Sequence, residues 1–166
     1  KKRFMAAIAA CNDGFVPLNW NESPIAGTVT VWQQAEDNTN GIVSDFFQGD
    51  NTGAYSASDF TVGAASTLTE IFTPGFDNTA SLAAQPSVTW AIYPDAAGVP
   101  AGDPETNPGP ALWSYTATIG DPELDITGDN LTLDLLAAGE NVVLAPGTYW
   151  LTVFPTYTNA LAAGNR

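Results

Sequence analysis

The stretch that decides the fold runs from Val142 to Pro155 and reads VVLAPGTYWLTVFP. A short apolar run leads through the turn-forming pair Pro146-Gly147 into a segment whose two alternating faces both carry large apolar side chains. A strand that is apolar on both faces is typical of a sheet interior, because each face has to be covered. The stretch therefore predicts a central strand of a packed sheet, and the other apolar segments are its partners.

Outside this stretch, the chain supplies many short strand-like segments separated by turn formers. No segment carries a long helical stripe with caps. Many strands at close spacing without helices between them predict an all-β fold, an antiparallel β-sandwich of jelly-roll-like type. The predicted strands are Ile25–Gln33, Ile42–Gln48, Tyr55–Val62, Ser66–Thr73, Ser87–Pro94, Ala111–Thr118, Leu124–Leu136 with a break at Gly128, Val142–Leu144 and Thr148–Pro155.

Length and composition predict one domain, residues 15–166, preceded by an N-terminal arm or signal-like segment, residues 1–14. The chain has 166 residues, of which 45% are hydrophobic, so it buries a core without needing a metal or a disulfide. It has one Cys and no His. This composition excludes zinc, copper and haem sites and also the Ser-His-Asp and Cys-His nucleophiles, so calcium or magnesium is the only metal left to consider. A catalytic pair of carboxylates stays open, but with so many Asp and Glu some pair always looks suitable, so we expect no enzyme.

The charge is strongly negative and unevenly placed. The net charge is -14, and the four basic residues, Lys1, Lys2, Arg3 and Arg166, all lie at the ends of the chain. Phosphate binding needs a basic patch, so we expect no nucleic-acid partner, and we expect no membrane span. An acidic body of this kind repels its own copies at low salt, so cations or a basic partner segment should matter for association.

The first eleven residues, KKRFMAAIAAC, admit three interpretations. In the first interpretation they form a basic, apolar targeting segment whose Ile8-Ala9-Ala10-Cys11 resembles the lipobox of bacterial lipoproteins, with Cys11 as the lipidated residue. In the second interpretation they form an extended arm of about 33 Å that adds a strand to a second copy of the chain. In the third interpretation they are an ordinary first strand of their own sheet.

The second interpretation assigns partner-binding roles to Lys1, Lys2, Arg3, Phe4, Met5 and Ile8. Phe4 and Ile8 share one face of an extended strand and would be the buried contacts, while the three basic residues would guide the arm onto an acidic neighbour.

Two kinds of ligand site are also considered. Asp121, Glu123, Asp125 and Asp129 present oxygen side chains at close spacing, as a calcium ion requires, although the pattern is not an EF-hand. Exposed aromatic rings bind sugars in many β-sandwiches, and Trp20, Trp32 and Trp113 are the candidates. Trp90 and Trp150 alternate with apolar residues on predicted strands, so they are expected in the core or in an interface.

Three segments resemble a β-sandwich module of secreted and cell-surface bacterial proteins. They are Tyr55–Val62 (YSASDFTV), Val88–Asp95 (VTWAIYPD) followed by Gly98–Pro100, and Leu144–Val153 (LAPGTYWLTV). Together with their spacing they cover most of the chain. The resemblance implies a non-catalytic, jelly-roll-like accessory module, and it also implies further aromatic-rich strands beyond the last residue here, so an open groove is expected where those strands are missing.

These observations lead to one functional expectation and one alternative. We expect an extracellular or cell-surface subunit, structural or adhesive, that assembles into a pilus- or filament-like polymer by N-terminal strand exchange between copies. The alternative is a carbohydrate-binding accessory module of a larger secreted protein, with glycans as its ligands.

Overall fold

A computed structural model describes residues 7–11, 28–33, 43–75 and 81–158, with backbone only for residues 7–11 and 28. These residues form an all-β sandwich, as the sequence predicts, and within the described ranges there is no α-helix, only the 3-10 turn Leu82–Ala84. In the same ranges, no helix has the length and hydrophobicity needed to cross a membrane. The strands are β1 (Ala7–Cys11), β2 (Thr28–Gln33), β3 (Asp45–Phe47), β4 (Thr52–Ala54), β5 (Ala57–Val62), β6 (Ser66–Thr73), β7 (Ser87–Pro94), β8 (Trp113–Thr118), β9 (Leu124–Thr127), β10 (Asn130–Asp134), β11 (Val142–Leu144) and β12 (Gly147–Tyr157).

The strands make two six-stranded sheets. Sheet A has the order β2-β1-β6-β10-β9, with β11 also paired to β6, and its pairings are antiparallel. Sheet B has the order β4-β3-β12-β7-β8, with β5 also paired to β12. The pairing of β3 with β12 is parallel, and the other pairings of sheet B are antiparallel.

The prediction that Val142–Pro155 contains a central strand is confirmed. Strand β12 pairs along one side with β7 and along the other with β5 and β3. Tyr149, Leu151 and Val153 point into the sandwich and belong to its core. Because side chains alternate along a strand, Trp150 and its i+2 and i+4 neighbours lie on the opposite face, the outer face of sheet B.

The core lies between the two sheets and draws on both. Its fully buried members include Trp90 of β7 and Leu133 of β10. Burying a side chain of this size contributes about 1.5–3 kcal/mol relative to leaving it exposed. The other core residues are Phe60, Val62, Leu68, Ile71, Leu82, Val88, Ile92, Ala117, Leu124, Leu131, Leu135, Val142, Leu144, Tyr149, Leu151 and Val153.

The predicted strand boundaries agree well where the apolar pattern is strong. The strands Ser66–Thr73, Ser87–Pro94 and Val142–Leu144 are found as predicted. The predicted break at Gly128 is a turn with φ +63 that separates β9 from β10. Strand β4 has no counterpart in the prediction, because its three residues, TGA, carry no alternating apolar pattern.

Strand β1 is an interior strand of sheet A. It pairs antiparallel with β2 on one side and with β6 on the other. Its register aligns Ile8 with Trp32 of β2 and with Ile71 of β6, which is fully buried. Residues 7–11 of the segment predicted as an arm thus form a strand of the sandwich, as in the third interpretation of that segment. The predictions for the following residues concern positions outside the described ranges: Lys1, Lys2, Arg3, Phe4, Met5 and Trp20.

Candidate functional site

The first candidate site is the slot in sheet A that β1 fills, between β2 and β6. Every residue of β1 is aligned with a partner on both sides, from Ala7 opposite Gln33 and Phe72 to Cys11 opposite Thr28 and Thr67. Among the described strands, β2 pairs with β1 alone. Strand β1 is therefore the connection between β2 and the rest of sheet A.

The backbone pairing in this slot is the same whether the strand comes from the same chain or from another copy. Antiparallel pairing is made by backbone N–H and C=O groups, so five residues of another copy in the same register make the same ladder. The register shifts once on each side, between Ile8 and Ala9 towards β2 and between Ala9 and Ala10 towards β6. Such bulges fix the register of a strand, which makes the slot selective for a particular length and pattern.

The second candidate site is the outer face of sheet B around Tyr55. The side chains of Trp150 and Phe154 lie on the same face of β12, four residues apart, with Thr152 between them. The cross-strand neighbours of Thr152 are Ala57 and Ala91, which have small side chains. The small side chains of Thr152, Ala57 and Ala91 therefore form a shallow depression at the centre of this face, with an aromatic ring at each end.

Tyr55 packs at the Phe154 end of this face. Its ring meets Phe154 edge-on, with centroids 4.9 Å apart and an interplanar angle of 80°. Burial, followed by the nearby carboxylates of Glu105 and Asp103, raises the pKa of the Tyr55 hydroxyl. Burial and Asp103 likewise raise the pKa of Tyr93, the cross-strand neighbour of Trp150. Tyr55 thus lies between the hydrophobic end of this face and its acidic rim.

The acidic rim belongs to the loop after β7, residues 95–110. The Asp95 carboxylate accepts a hydrogen bond from Trp150 Nε1 at 2.8 Å and from the backbone N–H of Gly98 at 3.1 Å. The Asp103 carboxylate accepts from the backbone and side chain of Thr106 at 2.6 and 2.7 Å. Hydrogen bonds to an ionised carboxylate favour that form, and they lower the pKa of both Asp95 and Asp103.

A third cluster lies where β8 meets the turn before β9. The Tyr115 hydroxyl donates to Glu123 Oε1 at 2.6 Å, and Trp113 Nε1 donates to Glu140 Oε2 at 2.9 Å. The hydrogen bond to Glu123, helped by burial and by the surrounding carboxylates, raises the pKa of Tyr115 to about 12. Glu123 is 9% exposed, so the tyrosine supplies the hydrogen bond that a buried carboxylate needs.

Of the three predicted sugar-binding tryptophans, Trp32 and Trp113 are among the described residues, and both pack partly buried against the core. Trp32 packs partly buried against the core, with its ring 6.0 Å from Phe60, and Trp113 does the same beside Tyr115 at 6.3 Å. Trp90 is in the core as expected, whereas Trp150 lies half-buried on the outer face of sheet B. In the sequence, Trp150 alternates with Tyr149 and Leu151 and so lies on the opposite face from them, but the pattern alone does not say which of the two faces is turned inward.

The four predicted calcium ligands are not gathered into a metal site. Glu123 is engaged by Tyr115, Asp121 Oδ2 accepts from the backbone N–H of Thr118 at 2.8 Å, and Asp125 Oδ2 accepts from the Thr127 hydroxyl at 2.9 Å. Within the described residues, no three Asp, Glu, Cys or His side chains are grouped so that they could hold a metal ion.

Comparison with known proteins gives no relative from which a function could be transferred. No protein-family model, no curated protein and no solved structure matches this chain.

Proposed function

We propose that this protein is a structural or adhesive subunit of an extracellular assembly, and that copies are joined by exchange of the N-terminal strand. In the assembly, residues 7–11 of one copy occupy the slot between β2 and β6 of the next copy. The observation that carries the proposal is the position of β1 in the middle of sheet A, hydrogen-bonded on both sides. A strand in this position contributes a double ladder, which is the largest backbone contribution that one strand can make to a partner.

The connection between β1 and β2 is long enough for the exchange. Cys11 and Thr28 are cross-strand partners, and residues 12–27 separate them along the chain. A hairpin needs only about two residues at this point. In extended form, residues 12–27 reach about 50 Å, which is greater than the width of one small domain. The length therefore exceeds what the closed chain requires and is sufficient to bridge two copies.

The charge distribution supports association through the N-terminal segment. Lys1, Lys2 and Arg3 precede β1, and residues 4–165 contain every acidic residue of the chain but no basic one. Two acidic bodies repel each other, whereas the basic segment of one copy attracts the body of another. In the exchanged form, Phe4, Met5 and Ile8 would supply the apolar contacts of the arm.

An extracellular or cell-surface location is part of the proposal. It is supported by the resemblance to secreted β-sandwich modules. Lipidation of Cys11 belongs to the targeting interpretation of the first eleven residues, in which residues 1–10 are removed, so it is an alternative to strand exchange. The alternative function, carbohydrate binding as an accessory module, has weaker support because Trp32 and Trp113 pack against the core.

The test uses a variant in which exchange is impossible but the fold is retained. Replacing residues 12–27 by Asn-Gly joins Cys11 to Thr28 through a two-residue hairpin turn, so β1 can reach only its own slot. The full chain is expected to form large particles in light scattering and negative-stain microscopy, and the Asn-Gly variant is expected to be a folded monomer. A second variant, in which residues 12–27 are kept in length but replaced by a Gly/Ser sequence, controls for composition and should still assemble. Equal particle size for the full chain and the Asn-Gly variant would refute strand exchange.

A further inference from the structure

We propose that the outer face of sheet B receives the basic residues Lys1, Lys2 and Arg3 of a second copy, an inference that rests on the proposed function and names the receiving surface. The surface consists of Tyr55, Trp150, Asp95, Asp103 and Glu105. On this surface two aromatic rings stand beside carboxylates. Trp150 is hydrogen-bonded to Asp95, and Tyr55 lies within electrostatic reach of the carboxylates of Asp103 and Glu105.

Charge complementarity selects the occupant. No basic side chain occurs among the described residues, because the four basic residues of the chain are Lys1, Lys2, Arg3 and Arg166. The carboxylates of Asp95 and Asp103 are held in place by hydrogen bonds from their own loop and, for Asp95, also from Trp150 of β12, and both are ionised at neutral pH. A fixed negative rim with no basic side chain beside it among the described residues attracts a cationic segment, and the only run of basic residues in the sequence is Lys1, Lys2 and Arg3.

The aromatic rings add chemistry that a solvated acidic loop does not have. Ammonium and guanidinium groups bind over the faces of Trp and Tyr rings, and each such contact contributes about 0.5–1 kcal/mol at exposed sites. Tyr55 and Trp150 are both half-buried, so one part of each ring is fixed by packing while the rest meets solvent. In an extended segment, residues i and i+2 lie about 7 Å apart on the same side, so Lys1 and Arg3 can reach two neighbouring ring–carboxylate pairs.

A hydrogen-bonding group without a partner lies on the same face. Thr152 is 2% exposed, and its hydroxyl has no hydrogen-bond partner. It lies between the rings of Trp150 and Phe154, with Ala57 and Ala91 as its cross-strand neighbours. A buried hydroxyl is normally hydrogen-bonded, but this one lies below the surface, so a docked side chain meets the surrounding rings and carboxylates and not the hydroxyl itself.

The experiment separates docking from strand exchange. The protein is the full chain with Lys1→Gln, Lys2→Gln and Arg3→Gln, which removes its own basic residues, and the probe is the synthetic peptide Lys-Lys-Arg-Phe amide. Binding is followed by NMR chemical shifts and calorimetry at two salt concentrations. The expected result is saturable binding that shifts the Tyr55 and Trp150 signals and weakens with salt. In the same background, Asp103→Asn with Glu105→Gln is expected to weaken binding about tenfold, as the loss of two contacts of about 0.7 kcal/mol each would do.

A variant with the same change in net charge is the control. Asp125→Asn with Asp129→Asn also removes two negative charges, but from the β9–β10 hairpin of sheet A, and it should leave the affinity unchanged. Equal weakening by the two pairs of substitutions would overturn the inference, because the peptide would then respond only to net charge. The inference also fails if the face binds a neutral glycan rather than the peptide. Failure here leaves strand exchange intact if the full chain with Asp103→Asn and Glu105→Gln still assembles.

Discussion

The indole N–H of Trp150 donates a hydrogen bond of 2.8 Å to Oδ1 of Asp95, and this contact ties the central strand of sheet B to the loop that follows β7. The same carboxylate accepts from the backbone N–H of Gly98, so one side chain closes the first turn of the loop and anchors it to the sheet. The loop of residues 95–110, although polar and rich in Gly and Pro, is therefore anchored at its start to sheet B by defined hydrogen bonds.

Replacing Trp150 with Phe should raise the pKa of the Asp95 carboxyl towards its ordinary value. The hydrogen bond from Trp150 is the largest cause of the lowered pKa, and Phe keeps a ring but lacks the donor. The pKa is measured by carboxyl-carbon NMR titration. Trp113→Phe removes the comparable donor to Glu140 and is the control, which should leave Asp95 unaffected. An unchanged Asp95 pKa in Trp150→Phe would show that the indole does not hold the carboxylate.

Replacing Tyr115 with Phe should destabilise the fold by about 1–3 kcal/mol, because Glu123 is left buried without its hydrogen-bond donor. Urea unfolding at neutral pH measures the change in the free energy of unfolding. Tyr149→Phe is a matched control, since it removes a hydroxyl that donates to the exposed carbonyl of Ala145 at 2.8 Å, and it should cost less, about 0.5–1.5 kcal/mol. If Tyr115→Phe lowers the free energy of unfolding no more than Tyr149→Phe does, the Tyr115 hydroxyl is not the donor that the buried Glu123 needs.

Stability should decrease at alkaline pH, partly through Tyr115. Its pKa is raised to about 12 in the folded protein, from an ordinary value of 10.0. A raised pKa means that the folded state keeps a proton that the unfolded state releases, so the contribution is complete below about pH 10 and is lost as the pH rises towards 12. Tyr55 and Tyr93, whose pKa values are also raised, act in the same direction. Urea unfolding between pH 9 and 11.5 should show a smaller decrease for Tyr115→Phe than for the unchanged chain, and an equal decrease would count against the assignment.

Replacing Gly53 with Ala should cost about 1–3 kcal/mol and displace Tyr55, because a β-carbon at this position would overlap the Tyr55 ring. Gly63→Ala is the control. Nothing lies within 4 Å of a β-carbon there, so the substitution should be neutral or stabilise by up to about 1 kcal/mol. Thermal unfolding compares the two, and the Tyr55 NMR signals report the ring position. Similar effects at both glycines would mean that Tyr55 is not held against Gly53.

The alternating apolar pattern was sufficient to predict the all-β sandwich and its central strand. Strands β6, β7 and β11 carry strong patterns, and their bounds follow directly from the sequence. The pattern did not reveal which face of each strand is turned inward. Trp113 and Trp150 both lie on strands, and only the pairing of the sheets places the first against the core and the second outside it.

Contacts between distant segments could not be predicted at all. Asp95 and Trp150 are separated by 55 positions, and Tyr55, in the connection between β4 and β5, is influenced by the carboxylates of Asp103 and Glu105 in the loop after β7. The sequence shows that each of these residues is polar or aromatic, but their meeting depends on the order of strands in sheet B. That residues 7–11 form a strand of the chain's own sheet was likewise only one of three interpretations of the first residues, and its place between β2 and β6 was not predicted.

Strand exchange itself is tested most directly by a disulfide between β1 and β6. Cys11, the single cysteine, is the cross-strand partner of Thr67. Paired positions in an antiparallel ladder have Cα atoms about 4.5–5.5 Å apart, a separation that a disulfide spans. The Thr67→Cys chain is allowed to assemble, is oxidised and is run on a denaturing, non-reducing gel. Val143→Cys controls for non-specific cross-linking, since Val143 is exposed and lies on the far side of β6 from β1.

Exchange predicts a ladder of covalent dimers and larger multimers for Thr67→Cys that disappears on reduction and is absent from the Val143→Cys control. A single band of internally linked monomer, obtained from the same assembled sample, would contradict the account.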